Sequence, residues 1–90
     1  MNTENRVSPQ APEIEEAIIG ACLIEQEALP LVADKLRPEM FYDNRHQLIF
    51  ACLTAMYQAG KKIDILTVKE ELVHRGNLEE AGGAFAIAQL

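Results

Sequence analysis

Asp43-Asn44-Arg45-His46-Gln47-Leu48-Ile49-Phe50-Ala51-Cys52-Leu53-Thr54-Ala55-Met56-Tyr57-Gln58-Ala59-Gly60 is the stretch that decides the fold. Leu48, Ile49, Cys52, Leu53 and Met56 recur at the 3.6-residue helical period, and Phe50 and Tyr57 fall beside that face. Asp43 or Asn44 can cap the N-terminal end, because a short polar side chain accepts from the orphan amides of a first turn. Gly60 stands where a left-handed residue ends a helix. A helix over 44–59 follows, long enough to be the spine of a small domain.

The segments on either side are helical too. Upstream, Pro12 suits a first helical turn, where its missing N–H is no loss. Glu13, Glu15 and Glu16 then bring negative charge to the positive end of the helix dipole. Ile14, Ile18, Ala21 and Cys22 recur at helical spacing, widened by Ala17, Ile19 and Leu23. This predicts a helix over roughly 13–25 whose broad apolar face is buried on most sides. Gly20 in its middle costs about 1 kcal/mol relative to alanine, which close approach of another helix would offset. Pro30 opens a short helix with Leu29, Val32, Ala33 and Leu36 as its stripe, and Pro38 ends it near Leu36. Met40, Phe41 and Tyr42 form an apolar knot in the connector, read as core plugs, with an exposed recognition patch as the alternative for Phe41 and Tyr42.

Downstream, residues 61–66 read as an extended connector. Thr67-Val68-Lys69-Glu70 has the form of a capping box, with Thr67 as N-cap and Glu70 reaching back to it. A helix over 68–75 follows, with Val68, Leu72 and Val73 inward, stopped by Gly76. Asn77-Leu78-Glu79-Glu80 repeats the capping logic over one short turn. After Gly82-Gly83, residues 84–90 begin a further helix that has no stop signal before Leu90, as in a piece of a longer protein. Residues 1–11, polar and proline-bearing, read as a disordered tail. The expectation is an all-α fold: a compact orthogonal bundle of about six helices around helix 44–59.

Composition narrows the function. Ninety residues make one small domain that buries about 60–65% of its unfolded surface. Eight basic residues against 14 acidic ones leave a net charge of −6, a poor basis for gripping phosphates. The apolar run 17–24 is too short to span a bilayer, and the polar start Met1-Asn2-Thr3-Glu4 is unlike a signal peptide, so a cytoplasmic protein is expected. Cys22 and Cys52 lie 30 residues apart with no C-x-x-C and read as reduced core thiols. His46 and His74 lack partners at zinc-ligand spacing. The one serine, Ser8, sits in the tail, and no glycine-rich phosphate loop is present. Neither catalysis nor a cofactor of the chain's own is indicated. A helix-turn-helix reading of 44–75 fails on its long turn and on Glu70 and Glu71 in the second helix. An acyl-carrier reading fails for want of a serine at a helix start. A protein-interaction module remains.

Four local patterns, in order, give that module a family. They are Glu13-Ile14-Glu15-Glu16-Ala17-Ile18-Ile19-Gly20; Phe41-Tyr42 followed by His46, Ile49 and Phe50; Gly60-Lys61-Lys62-Ile63-Asp64-Ile65-Leu66-Thr67; and Gly76-Asn77-Leu78-Glu79-Glu80-Ala81-Gly82-Gly83. Over residues 12–90 they resemble the N-terminal domain of the bacterial replicative DNA helicase, the DnaB family. One departure is Ala86-Ile87, where the family carries an aromatic-Leu pair; here Phe85 lies one position earlier.

The resemblance implies a collar domain of a hexameric, ATP-driven helicase. Its motor, with ATP and Mg²⁺, would lie in a C-terminal domain beyond this chain, and a dimerising helical hairpin would follow Leu90. Implied partners are other helicase subunits, the C-terminal domain of the primase and a helicase loader, with no direct nucleic-acid or membrane contact by this domain. Phe85 and Gln89 on the last helix are the candidate partner-binding residues. His46, Asp64, Thr67, Glu70, Gly60 and Gly76 are read as structural: a satisfied histidine, connector and cap residues, and helix stops. The alternative is a stand-alone helical interaction or regulatory module with the same fold.

Overall fold

The computed structural model describes residues 12–25, 27–83 and Ile87. The expected tail over 1–11 lies outside the described residues, as does the expected helix over 84–90 apart from Ile87, which is helical and fully buried. All regular structure among the described residues is helical. Helix α1 spans Pro12–Ile24, α2 Ala28–Ala33, a 3₁₀ turn Pro38–Met40, α3 Asn44–Gln58 and α4 Ile65–Arg75. Of the expected six or so, four α-helices and one 3₁₀ turn are complete among the described residues, and Gly83 and Ile87 are helical as well. Residues 78–82 make hydrogen-bonded turns rather than a helix, because Gly82 and Gly83 take positive φ after a single turn.

Helix α3, the longest at 15 residues, packs against α1, α2, α4 and the 3₁₀ turn. Its N-cap is Asp43, whose side chain accepts from the Arg45 N–H at 2.8 Å. At its other end Gly60, at φ 72°, lets the Lys61 N–H reach the Met56 carbonyl at 2.9 Å and the Gly60 N–H reach Tyr57. That pair of bonds satisfies carbonyls the helix leaves orphaned. Gly76 repeats the device after α4: Asn77 N–H donates to the Leu72 carbonyl at 2.8 Å.

Three boundaries move. Helix α2 begins at Ala28, not Pro30, and Pro30 falls within its first turn, where no N–H is missed. Its tail loosens after Ala33, although the Leu36 N–H still reaches the Val32 carbonyl at 2.8 Å. Helix α4 begins at Ile65, three residues before the expected start, because Asp64 and not Thr67 is its N-cap.

The core is lined by α1, α3, the residues between them, Val68 and Leu72 of α4, and Ile63, Ala81 and Ile87. Phe41, Phe50, Ile19, Leu29 and Leu53 are all but inaccessible to solvent. The Phe41 and Phe50 rings lie 4.9 Å apart at 39°, a tilted pairing that aromatic quadrupoles favour. Cys22 and Cys52 are buried free thiols. Tyr42, read as a core plug, is instead 54% exposed. The radius of gyration, 12.2 Å, matches the roughly 12 Å of a folded chain of this length.

Helix α1 differs most from expectation. Its buried positions are Glu15, Ile19, Gly20, Cys22 and Leu23, with Ile18 partly covered. Ile14 and Ala21, placed in the inward stripe by periodicity, face solvent, as do Ala17 and Ile24. The helix is buried along one side rather than most sides.

Candidate functional site

A carboxylate in the core organises one end of the domain. Glu15, in the first turn of α1, is 1% exposed, and His46, in the first turn of α3, is 3% exposed. Their side chains meet at 2.7 Å between Glu15 Oε1 and His46 Nδ1. Glu15 Oε2 also accepts from the Tyr42 backbone N–H at 2.6 Å, and Oε1 from the Asp43 N–H at 3.3 Å. Toward a carboxylate, which offers only acceptors, His46 Nδ1 is the donor of this contact. Three donors on one buried carboxyl group meet the requirement that buried polar atoms be paired. None of the buried side-chain polar atoms among the described residues lacks a partner.

This node explains the exposed Tyr42. Its backbone N–H is committed to Glu15, and Gln47 Nε2 holds the preceding Phe41 carbonyl at 2.6 Å. The backbone is thus fixed with Phe41 inward and Tyr42 outward. Beside it, Arg45 forms a two-point contact with Asp43, through Nε at 3.1 Å and Nη2 at 2.7 Å. The Arg45 guanidinium holds the Asp43 carboxyl down at about 2.

The second polar cluster lies at the start of α4 and corrects the expected capping box. Asp64 Oδ1 accepts from the Thr67 N–H at 2.8 Å, and Thr67 Oγ1 accepts from the Asp64 N–H at 2.9 Å. The box is therefore Asp64–Thr67, with Thr67 at its third helical position, and Glu70 is an exposed residue outside it. Aspartate is the stronger N-cap of the two, which settles the frame. The bond from Thr67 also lowers the Asp64 carboxyl from its ordinary value. Lys61 Nζ and Arg75 Nε both donate to Glu71, each at 3.1 Å, and together hold its carboxyl low.

A cleft of about 420 Å³ opens where Cys22, Leu29, Pro30, Tyr57, Lys61 and Ile63 converge. Burial raises the Cys22 thiol above its ordinary value, which disfavours the nucleophilic thiolate there. The Cys52 thiol is pushed up to about 11 by burial.

The residues singled out in the sequence therefore fall apart in space. His46 belongs to the Glu15 node; Asp64 and Thr67 form the α4 box; Gly60 and Gly76 close α3 and α4. Phe85 and Gln89 lie outside the described residues. Sequence reasoning missed Glu15, which reads as one more acid in a helix N-terminus. The signal was its register: Glu15, Ile19, Cys22 and Leu23 follow i, i+4, i+7, i+8. It also missed the solvent-facing apolar side of α1. Among the described residues no helix is long and apolar enough to cross a membrane.

A family model described as the DnaB-like helicase N-terminal domain matches residues 7–90. The replicative DNA helicase DnaB of Rhodothermus marinus is 47% identical over 85 residues, covering 94% of this chain and 9% of that protein. DnaB of Geobacillus stearothermophilus is 36% identical over 85 residues, covering 94% of this chain and 19% of that protein. The replicative DNA helicase DnaC of Bacillus subtilis is 37% identical over 79 residues, covering 88% of this chain and 17% of that protein. This chain thus spans less than a fifth of the length of each of these relatives. The crystal structure of the N-terminal domain of DnaB helicase from Mycobacterium tuberculosis superposes with a TM-score of 0.80 at 33% identity, over 83% of this chain and 54% of that one. With the family model matched along most of its length and the same fold in a solved relative, this chain belongs to the DnaB-like helicase N-terminal domain family.

Proposed function

We propose that this chain is the non-catalytic N-terminal collar domain of a hexameric, ATP-dependent replicative DNA helicase. Its work is protein contact: it contributes to ring assembly with other helicase subunits and recruits the primase, through the primase C-terminal domain, to the replication fork. A helicase loader is a further partner. ATP and Mg²⁺ belong to the C-terminal motor of the parent protein, and DNA is held there rather than on this acidic domain. The compartment is the cytoplasm. Phe85 and Gln89 remain the proposed partner-binding residues.

The observation that carries this reading is the family match over residues 7–90. The net charge of −6 agrees with it, since a surface of that sign suits protein partners better than phosphates. The test uses the whole parent protein, read from the gene downstream of Leu90. That reading frame is expected to encode a phosphate-binding loop. Analytical ultracentrifugation of the parent with the cognate primase C-terminal domain should show hexamers that carry primase, and deletion of this domain should abolish the primase. A frame without the loop, or primase retained after deletion, overturns the proposal.

A further inference from the structure

Helix α1 has two apolar sides, and the fold uses one. Its inner side, Glu15, Ile19, Cys22 and Leu23, is buried. Its outer side, Ile14, Ala17, Ala21 and Ile24, is exposed, with Ile24 at 78% and Ile14 at 56%. These four positions are spaced three, four and three residues apart, the seam that one helix presents to another in side-by-side packing. The seam is about 15 Å long. Two alanines at its centre let a partner backbone come close, and an isoleucine at each end supplies area to bury. The Glu15 node fixes α1 to α3, so the seam is presented on a rigid element.

Charge selects the occupant. Helix α1 contains no lysine or arginine. Glu13 and Glu16 flank the first half of the seam, and Glu25 and Glu27 follow its end; all four are exposed. Arg45, whose charge is felt by Glu16, is already paired with Asp43 at 2.7 Å. A second copy of α1 would set carboxylates against carboxylates whether it ran parallel or antiparallel. We propose that the outer face of α1 is a docking surface for a cationic amphipathic helix of another protein, with an apolar seam for Ile14, Ala17, Ala21 and Ile24 and flanking lysines or arginines for the four glutamates. This assignment comes from the surface chemistry and stands apart from the helicase reading. Its failure would leave the collar proposal intact.

The test titrates the ¹⁵N-labelled 90-residue chain with a synthetic helical peptide of about 18 residues, carrying a Leu/Ala seam flanked by lysines. Two control peptides carry glutamate flanks, or the same lysine-rich composition shuffled to destroy the seam. Amide shifts are expected along residues 14–24 with the lysine-flanked peptide alone. Ile24→Ser should weaken binding by about tenfold or more, as loss of an apolar anchor does. Glu13→Gln/Glu16→Gln should weaken it and flatten its salt dependence. All three positions are at the surface, and circular dichroism checks that each variant keeps its helices. Binding by either control peptide, shifts confined to other elements, or unchanged affinity in both variants overturns the proposal. So do shifts in α1 that depend on chain concentration without peptide, or nuclear Overhauser contacts from residues 1–11 to Ile14 and Ile24. Those outcomes would assign the face to a second copy or to the chain's own N-terminal residues.

Discussion

Helices α1 and α4 hold their places in the same bundle by opposite means. In α1 the polar bonds run far along the chain: Glu15 is joined to Tyr42, Asp43 and His46, separations of 27, 28 and 31 residues. In α4 they are local: Asp64 with Thr67 three residues on, Glu71 with Arg75 four on, and Lys61 ten before Glu71. Apolar burial does not separate them: α1 buries Ile19, Cys22 and Leu23 and leaves Ile14 and Ile24 more than half exposed, and α4 buries Val68 and Leu72 and leaves Leu66 and Val73 more than half exposed. The difference lies in the reach of the polar bonds. One helix is set by what it packs on. The other is set by two buried side chains, Val68 and Leu72, and by how it starts and stops.

The sharpest way to break this comparison is at Glu15. Glu15→Ala would leave the buried His46 ring and two partly buried backbone amides without their acceptor. Each stranded group costs roughly 1–3 kcal/mol, so a loss of about 3 kcal/mol or more is expected. Against the 5–15 kcal/mol typical of a folded domain, this is a large share of the total stability. Urea denaturation followed by circular dichroism measures it. Glu15→Gln, which keeps an acceptor oxygen, should lose less. Equal stability of wild type and Glu15→Ala would show that α1 does not depend on the node.

The same contrast says what could be read from the sequence. Local devices were legible because their partners lie within a few residues. Asp43 as a possible cap, Gly60 and Gly76 as stops and the extended backbone before Pro38 all rest on spacing alone. The capping box was legible in kind but not in frame: Asp64-x-x-Thr67 and Thr67-x-x-Glu70 overlap at Thr67, and only the stronger capping of aspartate separates them. The inward side of α1 was not legible. A helix apolar on both sides gives periodicity no preferred direction, and the residue that fixes the direction is a glutamate whose partners lie some thirty residues away. Tyr42 was misplaced for the same reason, since it is turned outward by the bond its own N–H makes to Glu15. Family resemblance supplied what spacing could not, the kind of protein, but not the contacts of this chain.

A smaller loss is expected at the start of α4. Thr67→Ala removes the hydroxyl that accepts from the Asp64 N–H at 2.9 Å while leaving the Asp64 side chain in place on the Thr67 N–H. Half a capping box is lost, worth roughly 0.5–1 kcal/mol. The midpoint of thermal unfolding should fall by a few degrees, and hydrogen exchange should quicken in the first turn of α4 while α1 is untouched. Thr67→Ser, which keeps the hydroxyl, should restore the midpoint. Exchange that quickens equally in both helices would mean that they are not held independently.

The smallest effect is expected at Lys61, and it has a defined pH dependence. Lys61 and Arg75 lower the Glu71 carboxyl below its ordinary value in the folded chain. A carboxyl depressed by folding adds stability that is complete above its unfolded value, about 4.3, and is lost as the pH falls below it. Lys61 is largely exposed, and a surface pair of this kind is screened by salt. Lys61→Ala should therefore leave the unfolding midpoint nearly unchanged at pH 7 in high salt. In low salt it should narrow the difference between midpoints at pH 7 and pH 3, because Arg75 alone depresses Glu71 less. The Asp43 carboxyl, held at about 2 by Arg45, and Asp64 titrate in the same direction and supply the acid sensitivity that remains in the mutant. A Lys61→Ala chain with the same acid-side loss as wild type would place that loss on the caps, and leave α4 held by its capped ends and its buried Val68 and Leu72 without help from the Lys61–Glu71 pair.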